Sequence, residues 1–265
     1  MRYDDRGTAL SKGDFKTATS ADFATDVESA ITYLKTRKEI NKKKIGLMGH
    51  SEGGLIAPMV ARKSKDVAFI VMLAGTGIQG DQILLLQQRL IGKVSEVSDE
   101  DLQKNEQLNR KAFDIVNKSN SIEQLNIDLT NFIKQSLLDN KNAEKSKGMS
   151  EDDFVKLQVK QIANPWMQYF IKYNPAPTLE KVKCPVLAII GGKDLQVPPK
   201  ENLEAIKKAL AKGGNKKVTT KEFPNLNHLF QECKTGSPDE YATIEQTFSP
   251  IALTEIFKWI QTQTK

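Results

Sequence analysis

Residues 45–54 read Ile45-Gly46-Leu47-Met48-Gly49-His50-Ser51-Glu52-Gly53-Gly54. A short apolar run of strand length ends in glycine, and a helical pattern follows with no linker between them. Within that junction Gly49-His50-Ser51-Glu52-Gly53 fits G-x-S-x-G. The chemistry asks for this pattern. A serine in a sharp strand-to-helix turn has its hydroxyl pushed clear of the sheet. Glycines on either side let strand and helix come close. The backbone N–H of the next residue, Glu52, then points where an oxyanion would develop. The five-residue motif alone recurs by chance; the strand–turn–helix setting makes it specific.

Outward from this junction, residues 22–37 carry Phe23, Val27, Ala30, Ile31 and Leu34 at helical spacing, with Ser20 as the expected N-cap. Residues 52–63 predict a helix that Pro58 should kink. Residues 67–74 (VAFIVMLA) and 186–190 are unbroken apolar runs closed by glycine, the pattern of strands buried on both faces. Residues 218–223 form a less apolar strand nearer an edge. Residues 201–212 and 246–262 are amphipathic helices. This alternation predicts an α/β fold with a mostly parallel sheet flanked by helices.

Residues 80–173 differ. They hold no convincing strand, and helices are predicted over 82–91, 99–116, 122–138 and 151–163. Ser98 and Ser150 are expected N-caps, and 141–148 (KNAEKSKG) is a polar loop. The chain thus reads as a core, residues 1–79 and 178–265, with an all-helical cap inserted at 80–177. A separate helical domain is the alternative.

A serine nucleophile needs a base and an acid to orient it. The chain has two histidines. His50 neighbours Ser51 and should turn its side chain into the interior, a structural role. His228 lies in the loop Pro224-Asn225-Leu226-Asn227-His228, after the strand at 218–223. Asp194 closes Gly191-Gly192-Lys193-Asp194, after the strand at 186–190. Both sit where parallel α/β sheets build their sites. Taken singly, they would read as a surface histidine and a turn aspartate. In the order Ser51, Asp194, His228, at three strand ends, they read as nucleophile, acid and base.

These residues, with Tyr3-Asp4-Asp5-Arg6-Gly7, the segment 49–54, Val197-Pro198 and Asn227-His228, resemble the α/β-hydrolase superfamily. The resemblance is to bacterial serine esterases related to dienelactone hydrolases and prolyl-oligopeptidase-like peptidases. It implies hydrolysis of carboxylic esters, less often amides, with no metal or organic cofactor, under a helical cap. It also implies three strands ahead of the Asp-x-Arg-Gly segment and a second oxyanion donor from the loop after the third. The sequence is therefore expected to be an N-terminally shortened version of a longer protein, with the strand at 45–49 left as an edge open to pairing with another chain. Three readings follow: a carboxylesterase, a peptidase or amidase using the same triad, and a catalytically impaired hydrolase that acts as a binding protein. The aromatic residues Trp166, Tyr169 and Phe170, where the cap returns to the core, read first as packing and second as substrate-binding residues.

The resemblance implies a small ester or short peptide as substrate, and composition argues against other partners. The net charge is +6, but the lysines are scattered and not interleaved with aromatics, against nucleic-acid binding. Mean hydropathy is −0.45, and no apolar run approaches the roughly 20 residues of a membrane span. The first residues lack the apolar region of a signal peptide. The chain reads as soluble and by default cytoplasmic, or as exported if an upstream segment carries a signal. Cys184 and Cys233 flank the last two strands too widely for a disulfide and are expected as free thiols. No carboxylates group with histidines at metal-ligand spacing.

Overall fold

The computed structural model describes residues 1–139 and 149–265; the predicted polar loop at 141–148 lies outside them. In chain order the elements are α1 (Ser20–Thr36), β1 (Gly46–His50), α2 (Glu52–Ala61), β2 (Phe69–Leu73), α3 (Gly80–Val94), α4 (Asp99–Lys118) and α5 (Ile122–Asp139). There follow α6 (Glu151–Ala163), α7 (Pro165–Lys172), α8 (Ala176–Leu179), β3 (Val186–Gly191), α9 (Pro199–Lys212), β4 (Val218–Phe223) and α10 (Pro250–Thr264).

The strands form one parallel sheet in the order β1-β2-β3-β4. One row across it runs Met48, Val71, Leu187, Thr219. The two inner strands are buried along their whole length, as their unbroken apolar sequence requires. Side chains alternate between the faces. Ile70, Met72, Val186 and Ala188 join one core with α1, α2 and α9. Phe69, Val71, Leu73, Leu187 and Ile189 face the other way, onto Ala252 and Ile256 of α10. The architecture is thus helices on both faces of a parallel sheet, an α/β fold. Among the described residues no strand pairs with the outer edge of β1, and Met48 on it is 59% exposed.

The regular elements described between β2 and β3 are all helices, α3 to α8. Phe113, Val116, Leu125, Leu129, Val159 and Ile171 build an apolar cluster of their own there. Ser98 and Ser150 cap α4 and α6 as expected, each hydroxyl accepting from the N–H three residues on, at 3.1 Å. No described helix is long and apolar enough to cross a membrane.

Local chemistry moved several boundaries. Helix α1 is capped by Thr19, not Ser20: the Asp22 carboxylate accepts from the Thr19 N–H at 2.9 Å and its hydroxyl at 2.7 Å. That frees the Ser20 hydroxyl for a contact across the molecule. Helix α2 runs on through Pro58 to Ala61. Helix α10 begins at Pro250 rather than near 246, because Gln246 is held outside it. Its carbonyl accepts from Gln231 Nε2 and its side chain from the Glu232 N–H. Helix α7 had no predicted counterpart. Asn164 caps it through Met167 N–H at 2.8 Å, and Pro165 opens it, a start signal present in the sequence.

Candidate active site

The loops after β1, β3 and β4 meet at the carboxyl ends of the strands, and each brings one residue. Ser51 stands between β1 and α2 with φ +54° and ψ −114°, a backbone region that residues with a Cβ rarely occupy. Two bonds hold it there. Its N–H donates to the Leu73 carbonyl of β2 at 2.8 Å, and its carbonyl accepts from the Gly54 N–H at 2.9 Å. Two glycines of this turn, Gly49 and Gly54, are sterically required, whereas a Cβ on Gly53 would meet open space. A Cβ on Gly49 would lie 2.1 Å from the Gly53 oxygen, and one on Gly54 would lie 2.7 Å from the Gly75 Cα. The strand and the helix touch backbone to backbone, which turns the serine outward. Glu52 is the first residue of α2, so its N–H is among those without an intrahelical partner.

Asp194 and His228 are buried, 2% and 4% exposed. Asp194 Oδ2 lies 2.8 Å from His228 Nδ1. The other carboxylate oxygen accepts from the N–H groups of Gln196 and Val197 at 2.9 and 2.8 Å. The carboxylate therefore cannot swing away. An acceptor at Nδ1 puts the ring's proton there and leaves Nε2 as the lone-pair nitrogen, the tautomer a base needs. The Ser51 hydroxyl is not hydrogen-bonded to the ring among the described residues; such bonds often tighten only when substrate is bound.

Two further residues shape the histidine. Asn227, fully buried, staples the loop: its Oδ1 accepts from the Leu229 and Gln231 N–H groups at 3.0 and 2.9 Å, and its Nδ2 donates to Gln231 Oε1 at 3.0 Å. His50 lies against His228, ring centroids 4.7 Å apart, and its Nε2 donates to the His228 carbonyl at 2.8 Å. His50 was expected to point inward. The residue is exposed overall at the end of the edge strand, yet its ring packs against the rings of His228 and Phe230. Its inner side is still desolvated against the His228 loop. That desolvation, with the nearby His228 ring, pushes its pKa below the usual histidine value, although the hydrogen bond to the carbonyl acts the other way. A neutral His50 with its proton on Nε2 satisfies that carbonyl. No local pattern signals this contact, since the two residues are 178 positions apart.

A cavity of about 170 Å³ lies beside Ser51, lined by Ile83 and Leu84 of α3, Trp166 and Phe170 of α7, and Val197. Of the three aromatic residues singled out, Trp166 and Phe170 reach it and Tyr169 does not. Trp166 and Phe170 are one turn apart on α7 and stack at 5.2 Å. Tyr169 stacks on Tyr173 at 5.6 Å, on another face of the helix. Glu52 Oε1 accepts from both the Ser20 hydroxyl, at 2.6 Å, and the Trp166 indole N–H, at 2.7 Å. The residue after the serine thus ties α1 and α7 together. Among the described residues no three metal-ligating side chains cluster. Cys184 and Cys233 are free thiols, and burial pushes the Cys184 thiol up to about 11.

Comparison with known proteins agrees with this architecture. Residues 27–138 match the family described as BAAT / acyl-CoA thioester hydrolase C terminal, and residues 143–249 match the prolyl oligopeptidase family. The esterase EstD of Thermotoga maritima is 26% identical over 91% of this chain, which spans 48% of EstD's length. A 31.7 kDa protein from the traX-finO intergenic region of Escherichia coli is also 26% identical, over 80% of this chain and 68% of its own. Among solved structures, E-2-(acetamidomethylene)succinate hydrolase superposes with a TM-score of 0.50, covering 97% of this chain and 80% of that one. At 16% identity that likeness is one of fold.

Proposed function

We propose that the chain, a hydrolase of the α/β-hydrolase superfamily, cleaves carboxylic esters through an acyl-enzyme on Ser51. His228 Nε2 takes the Ser51 proton as the hydroxyl oxygen attacks the acyl carbon. Asp194 holds the ring and stabilises the imidazolium that forms. The Glu52 N–H, at the positive end of α2, donates to the tetrahedral oxyanion. Collapse of that intermediate breaks the ester bond, and His228 returns the proton to the leaving alcohol. Water, activated by the same ring, then attacks the acyl carbon and releases the acid and Ser51. The core, residues 1–79 and 178–265, supplies the chemistry. The cap, residues 80–177, supplies the walls of the site through Trp166 and Phe170.

What carries this reading is the buried Asp194–His228 pair at 2.8 Å beside a serine held at positive φ. A buried Asp–His pair that leaves the ring's Nε2 free, at the strand ends with a serine in a rarely occupied backbone region, is the arrangement a triad needs. The test is quenched-flow turnover of p-nitrophenyl acetate, expected to show a burst of p-nitrophenol followed by slower deacylation. No turnover of any ester by the folded chain would contradict the reading.

A second reading is amide hydrolysis with the same triad, favoured by the match of residues 143–249 to the prolyl oligopeptidase family. Peptide anilides measured beside the esters separate the two. Faster kcat/KM on the anilide would select the second.

A further inference from the structure

We propose that the cavity beside Ser51 is an acyl pocket for short chains, and that Trp166, latched by Glu52, sets its length. The proposal rests on the ester reading above and names its substrate class. At about 170 Å³ the cavity slightly exceeds the roughly 150 Å³ that accommodates one benzene, and falls below the about 300 Å³ where drug-sized ligands begin. An acyl chain of up to about six carbons matches that volume. Ile83, Leu84, Phe170 and Val197 make its walls apolar. One end is closed by polar side chains, where Gln196 meets Gln87 at 3.4 Å and the Tyr241 hydroxyl at 2.8 Å.

Trp166 is the wall that matters for length. Glu52 and Trp166 line not only this cavity but also a groove of about 1050 Å³ that runs between α1 and the edge of β1. The groove is bordered by apolar side chains, among them Val27, Ile31 and Ile56. The indole therefore partitions a small space from a large one. Its plane is fixed from two sides, by the stack on Phe170 and by the hydrogen bond to Glu52 Oε1, which Ser20 also holds. A chain too long for the cavity has to displace a stacked, hydrogen-bonded ring. Removing the indole joins the two spaces and gives that chain somewhere to go.

The experiment is kcat/KM across p-nitrophenyl esters from acetate through butyrate and hexanoate to decanoate and palmitate. Wild type should accept acetate through hexanoate and lose about tenfold or more between hexanoate and decanoate. Trp166→Ala should raise the decanoate-to-butyrate ratio by about tenfold. Glu52→Ala should shift the ratio in the same direction through the loosened ring. Glu52→Gln keeps an acceptor for the indole and should keep the wild-type chain-length profile. Circular dichroism of each variant confirms that it is folded. Decanoate turned over as well as butyrate by wild type overturns the pocket alone, as does an active Trp166→Ala with an unchanged profile. Failure on every ester overturns the ester reading and the pocket with it.

Discussion

Ser51 sits at φ +54°, a conformation that costs about 1–3 kcal/mol for a residue with a Cβ. The cost is offset by the bonds to Leu73 and Gly54 and is retained because it aims the hydroxyl. Two substitutions that both remove the hydroxyl should therefore differ. Ser51→Gly relieves the strain and Ser51→Ala keeps it, so the glycine variant should unfold later in urea by about 1 kcal/mol, with both inactive. At the acid, Asp194→Asn keeps the shape of the site but favours the wrong tautomer of His228. Its kcat on p-nitrophenyl acetate should fall by about 10⁴. His50 contributes a pH dependence of stability. Its pKa is lowered on folding, so below the unfolded histidine value the unfolded chain binds the proton more readily. Stability on this account is complete above about pH 6.5 and declines as pH falls below it. His50→Gln retains a donor for the His228 carbonyl and should lose less stability than wild type between pH 7.5 and 5.5, measured by urea unfolding at each pH.

At the scale of elements, the boundaries are set by a few side chains. Ser98 and Ser150 each satisfy an otherwise unpaired N–H at the start of α4 and α6. Ser98→Ala and Ser150→Ala should each cost about 1 kcal/mol, read as a lowered urea midpoint with an unchanged slope. These caps were legible because the signal is local: a hydroxyl residue, acidic residues, then a periodic run. The two inner strands were legible because burial on both faces leaves an unbroken apolar run. That Ser51, Asp194 and His228 stand at strand ends was legible because each lies within a few residues of a strand-length run. What depends on distant neighbours was not. The Thr19–Asp22 pairing moved the N-cap of α1, and the released Ser20 found Glu52, 32 residues away. Asn164-Pro165 marks the start of α7, but its eight residues are too few to carry a clear helical period. Which of its aromatics reach Ser51 was fixed by the helical phase of α7 against the core, a tertiary quantity. The exposure of His50 likewise follows from the place of β1 in the sheet, not from its own sequence.

The whole molecule combines a sheet whose inner strands are closed on both faces with an outer strand whose edge is open. Unpaired N–H and C=O groups along β1, beside exposed Met48, form a template for another strand. Wild type should associate more strongly with rising concentration than Met48→Lys, which places a charge on that edge. Sedimentation velocity checks this. The helical segment between β2 and β3 meets the core where Glu52, the residue after Ser51, accepts from the indole of Trp166 on α7. On the proposed reading, catalytic geometry comes from the strand ends and substrate choice from α3 and α7. The central claim is that this assembly activates Ser51. Its most direct test is labelling of the intact chain with a fluorophosphonate probe, followed by mass spectrometric mapping of the modified residue. A single adduct on Ser51, absent from Ser51→Ala and strongly slowed in Asp194→Asn, is the predicted result. A folded chain that takes up no probe, or takes it up equally after Ser51→Ala, would contradict it.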